Sequence, residues 1–117
     1  VRRALPPALL AALALAACRQ PTEVDVQRAV VGRSGPSIDT VRVGRADTLA
    51  LTARVTLVRG RAAWAVRDPS GAVAWRGAAD DDTTARWRTA RPARGAWTVE
   101  VRPDSAVGAV EVFGRAW

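Results

Sequence analysis

The chain of 117 residues contains no histidine, no methionine and no lysine, and its only cysteine is Cys18. Each absence removes a chemistry. Without an imidazole base, no Ser-His-Asp or Cys-His arrangement can be assembled, and the four serines, Ser34, Ser37, Ser70 and Ser105, stand in turn-like contexts. A zinc site takes about four Cys, His or carboxylate ligands, which one cysteine without histidine does not supply. A lone cysteine has no partner for a disulfide within the chain. The acidic run Asp80, Asp81, Asp82 is the one carboxylate cluster, but it lacks the alternating spacing of a preformed calcium loop and reads as a solvated charged turn. The sequence is therefore expected to be non-catalytic, with no metal and no cofactor.

Arginine and small apolar residues are what the chain has in quantity. All 18 basic residues are arginine, set against 11 acidic ones for a formal net charge of +7, and the hydrophobic fraction of 49% suffices for the core of one domain. The bias towards Arg, Ala, Val and Gly is also what a GC-rich bacterial genome imprints, so arginine count alone does not indicate function.

The N-terminus has three parts: the basic pair Arg2 and Arg3, an apolar run from Ala4 to Ala14 broken by Pro6 and Pro7, and then Leu15, Ala16, Ala17 and Cys18. The apolar run is shorter than the roughly 20 residues that cross a hydrocarbon core of about 30 Å, so it reads as a targeting segment. Its end resembles the lipobox of bacterial lipoproteins. That resemblance implies acylation of the Cys18 thiol by diacylglycerol and cleavage before Cys18, with the small side chains of Ala16 and Ala17 admitting the peptidase. Two other readings compete: a buried cysteine in an uncleaved apolar helix, and ordinary signal cleavage after residues 12–14. The position and flanks of Cys18 favour lipidation. The resulting division is 1–17 signal peptide, 18–23 lipidated tether and 24–117 folded domain. Cleavage removes Arg2 and Arg3 and leaves a charge of +5. Arg19, standing where aspartate signals inner-membrane retention in many enterobacteria, points to the outer membrane, its periplasmic face or the cell surface.

Beyond the tether the sequence alternates. Val24 and Val26 suggest an early strand, and Val41 and Val43 a short one. In "TLALTARVTLV", Leu49, Leu51, Ala53, Val55 and Leu57 fall on one side and Thr52, Arg54 and Thr56 on the other, the period of a half-buried strand. "DPSG" places Asp68, Pro69 and Gly71 where a type I turn prefers them, so antiparallel strands flank it. If Asp68 pairs with Gly71, Val66 faces Val73 and Trp64 faces Trp75, while a one-residue bulge would send Trp75 to the opposite face. "TTARWRT", "GAWTVEVRP" and "VGAVEVFGRAW" continue the alternation, with Phe113 inward only if a bulge at Gly108 shifts the last strand. About seven short strands and no convincing helix after the signal segment make this an all-β, antiparallel β-sandwich, Ig-like or jelly-roll, with a barrel as the lesser alternative.

The order "V.W.V.DPSG.V.W.G", "GAWTVEV", "GAVEVFG" over residues 48–117 resembles the small bacterial sandwiches of the pre-peptidase C-terminal and P-domain type. The resemblance implies a noncatalytic accessory or binding module. Alternation turns Trp64, Trp75, Trp87 and Trp97 inward, which favours a core role over a sugar-stacking platform; Trp117 is the exception. Arg42, Arg54, Arg67, Arg76, Arg86, Arg88 and Arg102 turn outward. Of these, Arg54, Arg76, Arg86 and Arg88 are the candidate anionic-ligand surface, in competition with a purely solubilising role. The expected partners are the membrane, through acylated Cys18, and an envelope protein or anionic polysaccharide. Nucleic acid is not expected, because no recognition motif is present. A structural envelope lipoprotein without its own ligand and a glycan-binding accessory domain are the alternatives.

Overall fold

Alternation of apolar and polar residues dictates strands, and the computed structural model, which describes residues 21–32 and 35–117, contains six. They are β1 (Thr22–Gly32), β2 (Ser37–Val43), β3 (Thr48–Arg67), β4 (Val73–Ala79), β5 (Thr83–Ala90) and β6 (Gly95–Ala116), all antiparallel, with no helix among the described residues. Leu15, Ala16, Ala17 and Cys18 lie outside the described residues. β1 begins at Thr22, two residues ahead of the alternating valines.

The count is six and not about seven because β3 and β6 each take in two of the expected strands. They pair along their whole length, from Leu49 beside Ala116 to Arg67 beside Thr98, and double over midway, where the register slips at Leu57, Arg59 and Arg61. Gly60 marks the bend with φ of +82°, and a Cβ there would lie 2.3 Å from the Ser105 carbonyl oxygen, so only glycine fits. Each sheet therefore uses half of both long strands. Sheet one has the order β1-β6-β3-β5 and sheet two β2-β6-β3-β4. The inward residues of both meet in one core that includes Leu49, Leu51, Ala53 and Val55 from one arm of β3, Trp64 and Val66 from the other, and Val99, Val101, Val110 and Val112 from β6. Phe113 faces outward, since Val110 and Val112 hold the buried register.

The two open sides of the sandwich are closed differently. On the β4–β5 side, Trp75 stacks on Trp87 across the sheets, with centroids 5.8 Å apart and planes within 8°. Trp64 meets Trp75 edge-on at 5.7 Å and Trp97 tilts against Trp87 at 6.5 Å, which extends the chain to four rings. Trp64 and Trp97 are buried, while Trp75 and Trp87 are half-buried and packed on the core. On the β1–β2 side, Arg28 makes a forked ion pair with Asp39, its Nε donating to Oδ2 at 2.9 Å and its Nη2 to Oδ1. Both side chains are partly exposed, so this pair contributes up to about 1 kcal/mol.

The hairpin joining β3 to β4 corrects the expected register. The Gly71 N–H donates to the Asp68 carbonyl at 2.9 Å, and the Asp68 carboxylate accepts from the Ser70 hydroxyl and N–H. The Ser70 hydroxyl, with help from nearby backbone N–H groups, holds the Asp68 carboxyl below its ordinary value. Val66 faces Trp75 and Trp64 faces Gly77, not the Val73 and Trp75 that the turn alone suggests. One slip comes from the three-residue turn 69–71 and a second from a bulge at Ala74. Two slips restore parity, so Trp75 still shares the inner face with Trp64. Gly77 is then required: a Cβ there would lie 2.2 Å from the Trp64 ring.

The tryptophans differ in one respect that stability measurements can read. The Trp97 indole N–H donates to the Ala93 carbonyl at 2.7 Å, whereas the buried Trp64 N–H has no partner among the described residues. Both Trp→Phe changes lose similar ring volume, but only Trp97→Phe breaks a hydrogen bond. Urea unfolding is expected to show Trp97→Phe costing about 1–2 kcal/mol more than Trp64→Phe. Equal costs would mean that the Trp64 N–H is bonded in solution.

Candidate functional site

The register that buries Leu49, Leu51 and Ala53 sends Ala50, Thr52 and Arg54 to the outer face of sheet one. Pairing places Arg88, Arg86 and Thr84 of β5 on one side of them and Arg115, Phe113 and Glu111 of β6 on the other. Glu23 and Asp25 of β1 extend the rows beyond Arg115 and Phe113. Charge thus changes sign across the face, from carboxylates on β1 to the adjacent Arg86 and Arg88 on the edge strand β5, with an aromatic ring between. A shallow groove of about 540 Å³ runs over Phe113, Arg115 and Trp117 beneath Glu23 and Asp25, and a smaller one of about 280 Å³ lies against Thr52, Arg86 and Arg88.

Arg54 is paired by register with Glu111, yet its guanidinium lies 5.0 Å from the centre of the Phe113 ring. Arg115 stacks at the same distance on Trp117, which is 45% exposed. A guanidinium on an aromatic face is held by about 0.5–1 kcal/mol and keeps its N–H edge available to a carboxylate or phosphate. Among the described residues, only Arg28 and Arg102 are in ion pairs; Arg54, Arg86 and Arg88 are not.

The structure gathers Arg54, Arg86 and Arg88 on one face and puts Arg76 on another. Arg76 lies on the outer face of sheet two, in a groove of about 560 Å³ floored by Ala63 and Ala65 and bordered by Arg67 and Arg102. Glu100 is buried there and paired with Arg102. Sequence reasoning missed that pair, although its signal was present: residues two apart on one strand share a face, and here they carry opposite charges.

The acidic turn is built into the backbone. Asp82 accepts the Leu57 N–H at 2.9 Å, which extends the β3–β5 ladder one rung past the Val55–Thr83 pair, and Asp81 accepts the Asp82 N–H at 2.7 Å. No group of three or more metal-ligating side chains occurs among the described residues.

No protein-family model and no curated protein matches this chain. Solved structures of like shape do. The periplasmic g-type lysozyme inhibitor PliG of Aeromonas hydrophila is 16% identical, with 80% of this chain and 86% of that chain covered at a TM-score of 0.54. The pre-peptidase C-terminal domain of a Bacillus anthracis collagenase is 18% identical over 78% and 87% of the two chains, also at 0.54. The Yersinia pseudotuberculosis-derived mitogen is 12% identical over 83% and 86%, at 0.54. These likenesses are of fold, and they agree with the sandwich architecture that the "DPSG" and "GAWTVEV" pattern suggests.

Because Asp82 serves the ladder, Asp82→Ala is expected to lower stability by about 1 kcal/mol in urea unfolding, and added calcium to leave the melting temperature of the native chain unchanged. A calcium-dependent rise in melting temperature that Asp82→Ala abolishes would reassign the turn to a metal.

Proposed function

We propose that this chain is a non-catalytic binding module of the bacterial cell envelope, exported by residues 1–17, tethered by acylated Cys18 and residues 19–23, and presenting the sandwich of residues 24–117 to an anionic polysaccharide. The observation that carries the ligand reading is the trio Arg54, Arg86 and Arg88 on one outer face, with no ion pair among the described residues. Two of these stand on an edge strand, two residues apart, so their side chains leave the strand about 7 Å from one another, a spacing suited to successive charges on a polymer. The engagement of Trp64, Trp75, Trp87 and Trp97 in the core argues against a tryptophan platform for neutral sugars. A periplasmic inhibitor of g-type lysozyme with a like fold is compatible with the binding-module part of this reading.

Mass spectrometry of the chain recovered from envelope fractions is expected to give a mature N-terminus at Cys18 bearing acyl chains; an unmodified N-terminus ahead of Cys18 would sink the anchoring. The ligand reading is tested separately by titrating the protein with alginate and with dextran. Salt-sensitive binding to alginate alone is expected, falling at least tenfold in the Arg54→Ala/Arg86→Ala/Arg88→Ala variant, since charged hydrogen bonds contribute about 1.5–3 kcal/mol each. Unchanged affinity in that variant refutes the assignment of the face.

A further inference from the structure

The strand registers bring most of the chain's crossings to one end of the sandwich. Thr22 opens β1 beside Ala116, Ala116 lies beside Leu49, and Thr48 pairs with Ala90. In sheet two the same end holds Val43 beside Gly95, and Gly95 is within contact range of Pro69. The loops 44–47, 68–72 and 91–94 therefore emerge together with residue 117. Loops 44–47 and 91–94 and residue 117 are fastened to one another: the Arg91 N–H donates to the Asp47 carbonyl at 2.7 Å, the Asp47 and Thr48 N–H groups donate to the Trp117 carbonyl at 2.8 and 3.0 Å, and the Trp117 N–H returns a bond to Thr48.

This end is basic and carries an exposed aromatic. Arg45, Arg91 and Arg94 are exposed on its loops with no ion pair among the described residues, and Trp117 stands beside them under the Arg115 guanidinium. Its carboxylates are Asp47 and Asp68 on the loops and Glu23 beside Arg115 on β1, and the Asp68 carboxylate already accepts from Ser70 and Ala72. At the opposite end the described residues are net acidic, with Arg59 and Arg61 set against Asp80, Asp81, Asp82 and Asp104.

Covalent reach connects the basic end to Cys18. Four residues of chain extend no further than about 14 Å, so Thr22 cannot stand far from an acyl anchor at Cys18. We propose that the end carrying Arg45, Arg91, Arg94 and Trp117 is a docking surface for anionic phospholipid, the arginines engaging headgroup phosphates and Trp117 lying at the headgroup level. This rests on the acylation of Cys18, because the tether selects which end meets the bilayer. Indoles prefer the membrane interface and guanidiniums bind phosphate through paired N–H groups, whereas the acidic end would be repelled. Docking holds the sandwich upright on the membrane and turns the Arg54, Arg86 and Arg88 face sideways, clear of the lipid.

The test uses the acylated protein reconstituted into phosphatidylcholine vesicles with and without phosphatidylglycerol, each doped with brominated lipid. The Trp117 signal is the difference between the native chain and Trp117→Phe. Quenching of that signal is expected only with phosphatidylglycerol. It should be lost in high salt and in Arg45→Glu/Arg91→Glu/Arg94→Glu, and kept in Arg59→Glu/Arg61→Glu at the far end, with far-ultraviolet circular dichroism unchanged in both variants. An unquenched Trp117 signal in protein whose mass confirms the acyl chains overturns the docking surface and leaves the anchor standing. Should the mass show no acyl chains, the anchor fails, and the Cys18→Ser chain is added to the same vesicles. Salt-sensitive quenching of Trp117 there retains the lipid surface, and its absence removes it.

Discussion

Both sheets of this protein are built on the same two strands, and the pairing of β3 with β6 is the constraint from which the rest follows. Every other strand hydrogen-bonds to one of these two, so a slip between them would move both faces of both sheets at once. The pair must also bend together. Gly60 supplies the backbone conformation at the bend and the close approach to Ser105, and the slips at Leu57, Arg59 and Arg61 let two curved strands of unequal path remain paired. Once doubled, the sheet confronts itself, and apolar side chains spread along a 20-residue and a 22-residue strand become one core.

Much of this was legible in the sequence because burial on one face of a strand leaves a period of two. Leu49, Leu51, Ala53 and Val55 were read as inward and are buried, as are Trp64, Val66, Trp97, Val99 and Val101. What the period does not encode is continuity and offset. Gly60 looks like punctuation between two strands and is instead a bend within one. The bulge at Ala74 has no composition signature, so the partners of Trp64 and Val66 were misassigned by two residues while their faces were right. Arg28 follows the inward period of Val24, Val26 and Val30, and only the position of β2 explains why a charge is tolerated there: Asp39 meets it.

The candidate site divides along the same line. Outward orientation of Arg54, Arg86 and Arg88 follows from alternation, but their gathering depends on β5 pairing with the first arm of β3 and not the second. Arg76 shares their alternation and lands on the other sheet because β4 pairs beyond the bend. Arginine also matters here as distinct from lysine. The Arg54 guanidinium lies over the Phe113 ring and that of Arg115 over Trp117, contacts that a planar, weakly hydrated guanidinium makes more readily than a compact, strongly hydrated ammonium. The use of arginine without lysine thus has a structural consequence, in that the exposed faces of Phe113 and Trp117 are each partly covered by a cation.

The position of β6 in the chain has a kinetic consequence. It is the last of the six described strands, and it occupies an interior position in both sheets, pairing with β1, β2 and β3. Thr22 finds its partner only at Ala116, almost the whole length of the domain away. Until β6 is available, β1 and β2 have no ladder to join and neither sheet can close. Such long-range pairing makes folding slow. The β3–β4 and β3–β5 ladders can form without β6, whereas β1 and β2 enter only through it, so closure of both sheets is a single event that waits on one strand.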